Sequence, residues 1–128
     1  MRRLGAERMM AGVWIALGGA LGALCRWGCV RAAVAWGAPS PFATLAVNVL
    51  GSFLAGALFG PLRAQSPVVS GAVFLGFLGA FTTFSTYTLE TANLTLAGEV
   101  PRALLNLALQ NLLGLAAAFA GLLLTLRA

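Results

Sequence analysis

Residues 76–87 read GFLGAFTTFSTY and lie near the centre of an apolar segment that is long enough to cross a bilayer. A membrane-spanning helix is expected to be uniform at its centre, but here glycines are followed by closely spaced threonine, serine and aromatic residues. β-Branched and aromatic side chains lose rotamer freedom in a helix, and hydroxyl groups compete for backbone hydrogen bonds. The stretch therefore predicts a helix that is broken at mid-membrane. The alternative is a continuous, kinked helix whose hydroxyls bond back to its own carbonyls.

An interruption inside the bilayer would leave peptide N–H and C=O groups without partners. Such groups are tolerated only where they are buried in protein or line a polar cavity. In discontinuous membrane helices, freed carbonyls bind cations and the positive N-terminal end of a half-helix faces anions. Residues 76–87 therefore indicate an ion site.

The composition is that of an integral membrane protein. Of the 128 residues, 60% are hydrophobic and 9% are charged, whereas soluble domains carry about 25% charged residues. The net charge is +5, but the basic residues are scattered singly, so we expect no nucleic-acid partner. The chain has no histidine, and its acids Glu7, Glu90 and Glu99 are too far apart in sequence to suggest a paired site. We therefore expect no enzyme activity.

Turn-forming residues divide the chain into four predicted spans within a single domain, residues 1–128. The spans cover about residues 9–34, 42–60, 68–96 and 102–126. The prediction is an all-α, multi-pass protein of the cell (inner) membrane, surrounded by lipid, with both termini on the same side. Arginines only mildly favour cytoplasmic termini by the positive-inside rule, and the bias nearly disappears without those of residues 1–8. A weak bias permits insertion in both orientations.

Polar side chains occur in each predicted span. Asn48 could donate hydrogen bonds to an anion or to a neighbouring helix. Arg26 would either snorkel to the interface or face a polar interior. Glu90 is either functional or a hydrated acid at the end of its span. In the fourth span, Asn106 and Gln110 share a small, polar face.

Self-association follows from the size of the bundle. Four short helices leave no wide interior, yet the polar faces of three spans need burial, and two-fold dimers are the commonest solution. A narrow path with amides, hydroxyls and almost no carboxylates suits a small ion. Phe84 and Tyr87 lie three residues apart on roughly one face. Their ring edges carry partial positive charge and could stabilise a dehydrated anion; the alternative is ordinary aromatic packing.

Three stretches resemble the CrcB/Fluc family of fluoride channels: GGALGALCRW at 18–27, TLAVNVLGSF at 44–53 and GFLGAFTTFST at 76–86. The likeness covers nearly the whole chain. It implies an antiparallel, dual-topology homodimer of four-span subunits with two fluoride pores. It also implies a structural Na⁺ at the dimer interface, held by the backbone carbonyls of Gly79 and Thr82.

The resemblance also implies which side chains line the fluoride path. These residues are Asn48, Phe84, Ser85, Thr86 and Tyr87. Further candidates for the path are Glu90, Arg26, Asn106 and Gln110. The family usually has Phe where this chain has Tyr87, and Ser where it has Gln110.

The sequence thus predicts a fluoride-selective channel that exports cytoplasmic fluoride by passive conduction and gives fluoride resistance. Two alternatives remain open. One is a small, dual-topology, proton-coupled multidrug exporter, which needs a carboxylate deep in the bundle. The other is a non-conducting structural subunit of the membrane, in which residues 76–87 would be only a kink.

Overall fold

Four helical segments long and apolar enough to cross a membrane make up the fold: Met9–Ala35, Ser40–Arg63, Pro67–Leu96 and Val100–Leu126. The computed structural model describes residues 2–126, and the side chains of residues 9–126. The elements in chain order are α1 (Arg2–Ala35), α2 (Ser40–Arg63), α3 (Pro67–Ser70), the π-helix π1 (Gly71–Leu78), α4 (Gly79–Phe81), α5 (Phe84–Leu96) and α6 (Val100–Leu126). The predicted all-helical, four-span architecture is confirmed.

The connections between spans follow from their turn residues. Gly37, with φ +84°, ends the first connection's tight turn, and Gly98, with φ +78°, does the same after α5. Both angles lie in the left-handed region that side chains with a Cβ rarely adopt. The second connection ends at Ser66, whose hydroxyl accepts the N–H of Val69 and caps α3.

Close backbone approaches hold the helices together in pairs. On the first span, a Cβ added at Gly18 or Gly22 would collide with the backbone of π1, and one added at Gly76 would lie 2.6 Å from the carbonyl oxygen of Ile15. On the second span, Gly56 meets the backbone of α6, and Gly121 of α6 meets the backbone of α2. The hydrophobic effect does not drive helix association in lipid. Small residues at such crossings instead allow close van der Waals packing between the helices.

The third span is interrupted near its middle. Its first half, residues 67–81, runs through α3, π1 and α4. Thr82 (φ −81°, ψ 159°) and Thr83 (φ −147°, ψ 112°) are extended, and the helix resumes at Phe84. The predicted interruption is therefore present, and the alternative of a continuous kinked helix is wrong.

Residues Gly71–Leu78 form a π-helix, which the sequence pattern does not predict. Segments of π-helix are rare and often accompany functional sites. Here π1 is followed by the short α4 and then by the interruption, and π1 packs against α1. Gly76 permits that approach, but nothing in the spacing of Gly71 and Gly76 distinguishes a π-helix from an α-helix.

Candidate functional site

Asn48 of α2 forms hydrogen bonds with the backbone of Thr83 at the interruption. The N–H of Thr83 donates to Asn48 Oδ1 at 2.8 Å, and Asn48 Nδ2 donates to the carbonyl of Thr83 at 3.0 Å. One side chain thereby satisfies both peptide groups of an extended residue. Asn48 therefore supplies the acceptor that the N–H of Thr83 loses at the interruption.

The same pairing frees the carbonyl of Gly79. In a continuous helix the N–H of Thr83 would donate to that carbonyl, but here it donates to Asn48. The helical ladder does extend as far as the N–H of Thr82, which donates to Leu78 at 3.0 Å. Gly79 is also exposed at the surface of the subunit. The interruption thus presents a carbonyl oxygen that has lost its helical donor.

Thr83 is also the N-cap of α5. Its hydroxyl oxygen accepts the N–H of Thr86 at 3.2 Å, and its hydroxyl donates to Thr86 Oγ1 at 2.9 Å. The positive end of the α5 dipole therefore lies at the interruption. Thr83 is not among the predicted site residues. The signal that could have found it is the preference of threonine for the residue just before a helix.

A cavity of about 400 Å³, open at the surface of the subunit, lies beside the interruption. It brings together six residues that the sequence analysis named: Asn48, Gly79, Thr82, Phe84, Tyr87 and Gln110. The two aromatic rings meet edge to face, with centroids 5.0 Å apart and planes at 87°. Phe84 is 74% exposed whereas Tyr87 is 9% exposed. Phe84 therefore forms the outer wall of the cavity, and the rest of the subunit leaves most of this residue exposed.

Ser85 and Thr86 do not line this cavity but adjoin it. Both are exposed on the first turn of α5. Their hydroxyls form a small cluster with that of Thr83, at 3.4 Å from Ser85 Oγ and 2.9 Å from Thr86 Oγ1. The cluster therefore continues the polar surface from the cavity onto α5.

Glu90 lies apart from the cavity, about 10 Å along α5 from Thr83 at 1.5 Å per residue. Its Oε1 accepts hydrogen bonds from Ser40 Oγ at 2.7 Å and Thr44 Oγ1 at 2.8 Å. Its Oε2 is buried and has no hydrogen-bond partner among the described residues. Glu90 is thus a second polar centre, near the start of α2.

The two remaining candidates are also outside the cavity. Asn106 is buried and donates to Thr91 Oγ1 at 2.9 Å, which attaches α6 to α5. It lines a second cavity of about 400 Å³ that is mainly apolar. Arg26 is half-buried on α1 and is not among the residues that line either cavity.

Gln110 of α6 is in direct contact with Asn48. It is 7% exposed, and its Oε1 accepts a hydrogen bond from Asn48 Nδ2 at 3.0 Å. Its Nε2 is buried without a hydrogen-bond partner in the part of the chain that the structure describes. The structure therefore joins the second span, the interruption and the fourth span in one hydrogen-bonded group: Gln110, Asn48 and Thr83.

The fold and this site define a multi-pass membrane protein whose third span is interrupted beside a polar and aromatic cavity. Residues 13–122 match the family described as CrcB-like protein, Camphor Resistance (CrcB). The chain belongs to this family, which confirms the resemblance of its three sequence stretches.

Several relatives are similar over most of their length. A protein of Magnetococcus marinus is 49% identical over 85% of this chain and 92% of its own. Relatives from Salinibacter ruber and Idiomarina loihiensis are 46% and 42% identical, over 84% and 86% of this chain and 83% and 88% of their own. All three are named fluoride-specific ion channel FluC. They are channels and not enzymes, which agrees with the expectation from composition.

Replacing Thr83 with alanine should destabilise the protein by about 1 kcal/mol, because α5 loses its N-cap. The backbone pairing with Asn48 does not use the Thr83 side chain, so the fold should survive. We expect a lower midpoint of thermal unfolding for the purified protein in detergent. The loss of its size-exclusion peak after heating measures this midpoint.

Thr83→Ser is the matched control, since it keeps the capping oxygen and should retain most of the stability. Equal midpoints for the wild type and Thr83→Ala would contradict the capping role.

Proposed function

We propose that the protein is a fluoride-selective channel that lets cytoplasmic fluoride leave the cell passively through the inner membrane. Membership of the CrcB-like family and the name shared by its relatives support this assignment. The observation that carries it is the interruption of the third span beside Asn48, Gln110 and the edge-to-face pair of Phe84 and Tyr87.

The chemistry of this site favours a small anion. Amide N–H groups, hydroxyls, aromatic ring edges and the N-terminal end of α5 all present partial positive charge. None of the residues that line the cavity is acidic. A narrow path with such groups can replace the water molecules that a fluoride ion loses on entry.

A second copy of the chain would complete the site. The cavity is open at the subunit surface, Phe84 is 74% exposed, and the Ser85 and Thr86 hydroxyls are exposed as well. Polar backbone and side chains at this depth need cover from protein or a water-filled path rather than from lipid. An inverted copy, permitted by the weak arginine bias, would cover them in an antiparallel homodimer with two pores.

The freed carbonyls at the interruption fit a cation at the interface of such a dimer. Gly79 has lost its helical donor, and the extended Thr82 turns out of the helix. Within residues 9–126, no group of three or more His, Cys, Asp or Glu side chains could hold a metal ion. Oxygen ligands without a carboxylate suit a weakly bound hard cation, so the carbonyls of Gly79 and Thr82 would hold Na⁺. Its role would be structural, joining the two interruptions.

The exporter alternative is disfavoured by the position of the acids. The first span, Met9–Ala35, contains no carboxylate. Glu90, the one acid within the described spans, bonds to Ser40 and Thr44 at the start of α2 instead of facing the cavity. A proton-coupled mechanism would therefore lack an acid at the centre of the bundle.

Purified protein in liposomes should release fluoride rapidly, without a proton gradient, and should exclude chloride. Phe84→Ile should reduce fluoride release at least about tenfold, because an aliphatic side chain fills similar space without a positive ring edge. A fluoride-selective electrode measures the release, with a chloride electrode in parallel.

Phe59→Ile, on the exposed part of α2 away from the cavity, is the control and should conduct as the wild type does. Flux that requires a proton gradient would favour the exporter, and absence of flux would favour the structural subunit. Wild-type fluoride release by Phe84→Ile would contradict the proposed role of the Phe84 ring edge in conduction.

The homodimer predicts that this single chain inserts in both orientations. A cysteine placed at the C-terminus in a Cys25→Ser, Cys29→Ser background should be labelled from each side of intact vesicles in similar amounts. A membrane-impermeant maleimide, applied before and after permeabilisation, makes the measurement. Labelling from one side only would exclude an antiparallel homodimer.

Removing Na⁺ should destabilise the dimer, because a ligand that binds only the folded state adds stability as its concentration rises. We expect the thermal midpoint in detergent to rise with NaCl relative to equal concentrations of N-methylglucamine chloride. Potassium chloride controls for a general cation effect. Identical midpoints in all three salts would argue against a sodium site at Gly79 and Thr82.

A further inference from the structure

The second cavity lies away from the interruption, between the starts of α2 and α6 and the end of α5. Its volume is about 400 Å³, which is within the range of sites that bind small molecules. Two polar residues, Arg102 and Asn106, are on its wall, and the other lining residues are prolines, leucines and a phenylalanine. The amide of Asn106 already donates to Thr91. The cavity therefore combines an apolar interior with a single cationic side chain.

The cavity extends inwards from one end of the bundle. α2 and α6 run in the same direction, because Asn48 bonds to Gln110 and Gly56 meets a later part of α6. Arg102 lies in the first turn of α6, and Leu109, at the other end of the cavity, is about 10 Å farther along at 1.5 Å per residue. Half of a bilayer's hydrocarbon core is about 15 Å thick. The cavity therefore spans most of one leaflet, with Arg102 at the membrane surface.

The apolar interior is suited to hydrocarbon. Phe42 and Leu105 on its wall are each 53% exposed, so the cavity reaches the surface of the subunit. Apolar cavities exclude water and bind apolar ligands, and each methylene group that is buried raises the affinity about fourfold. In a bilayer, the hydrocarbon at this depth belongs to lipid acyl chains.

The charged groups at the surface end of the cavity form an ion pair. Arg102 Nη1 donates to Glu99 Oε2, and the two side chains are 74% and 41% exposed. A guanidinium carries five N–H donors, so this bond leaves donors for a lipid phosphate, and Glu99 Oε1 can accept from an ammonium group. Anionic headgroups prefer clusters of basic residues. A neutral Arg–Glu pair instead matches a headgroup that carries both charges.

We propose that the second cavity binds a phospholipid, phosphatidylethanolamine. One acyl chain fills the apolar space beside α2 and α6, while the phosphate pairs with Arg102 and the ammonium with Glu99. Among the described residues, none lines both this cavity and the one at the interruption. The lipid site therefore does not depend on the proposed channel function.

Lipid binding to the purified, delipidated protein in detergent tests the acyl-chain part of the site. Native mass spectrometry, with phosphatidylethanolamine added in steps, gives the apparent Kd of the first bound lipid. Leu109→Phe enlarges a side chain inside the cavity and should displace two or more methylene groups, so this Kd should rise at least about tenfold. Leu112→Phe makes the same exchange on the exposed part of α6, outside the cavity, and should bind as the wild type does.

Two further variants test the headgroup. Arg102→Gln should raise the Kd for phosphatidylethanolamine about fivefold, the loss expected for one arginine at a membrane surface. Arg31→Gln, at an exposed arginine of α1 outside the cavity, is the control and should have no such effect. Glu99→Gln should weaken the binding of phosphatidylethanolamine but not that of phosphatidylglycerol, which has no ammonium group.

Size-exclusion profiles verify that each variant is folded, and Leu45→Phe, at another wall of the cavity, decides if Leu109→Phe is not. Unchanged binding of phosphatidylethanolamine in the folded cavity variant would overturn the acyl-chain site. Tighter binding of phosphatidylglycerol than of phosphatidylethanolamine by the wild type would overturn the assignment of the headgroup. Because neither measurement uses fluoride, both outcomes are distinct from a failure of the channel function.

Discussion

A peptide group inside a membrane has no water to hydrogen-bond with and must find its partner within the protein. This constraint determines the structure at the centre of the chain. Two extended residues, Thr82 and Thr83, interrupt the third span. Asn48 pairs with both backbone groups of Thr83, and the Thr83 hydroxyl caps the helix that follows. Asn48 and Thr83 therefore stabilise the fold itself. Without their hydrogen bonds, the unpaired peptide groups of the interruption would cost several kcal/mol.

The glycine crossings make this arrangement possible. Gly56 and Gly121 bring α2 and α6 into backbone contact. At that separation Gln110 of α6 can reach Asn48 of α2. Gly51 similarly admits the methyl group of Thr82 against α2. Larger residues at these positions would separate the helices and leave the amides too far apart to bond.

Much of the fold could be predicted because its signals are local. Hydropathy and turn residues predict four spans, and the run of hydroxyl and aromatic residues after Gly79 predicts the interruption. The π-helix could not be predicted, because nothing in the spacing of its glycines distinguishes it from an α-helix. Asn48, Gln110, Phe84 and Tyr87 were predicted as site residues, and the structure brings them together at one cavity. The sequence could not show that Asn48 bonds to both Thr83 and Gln110, because that depends on α2, α6 and the interruption meeting.

The two sides of the interruption present peptide groups of opposite polarity. The first half-helix ends with a carbonyl that has lost its donor, at Gly79, and the second begins with N–H groups and a positive dipole end, at Phe84. Cation and anion sites would then be two ends of the same break, separated by the Thr82–Thr83 link. Because Asn48 pairs with both backbone groups of Thr83, its amide fixes the geometry of that link.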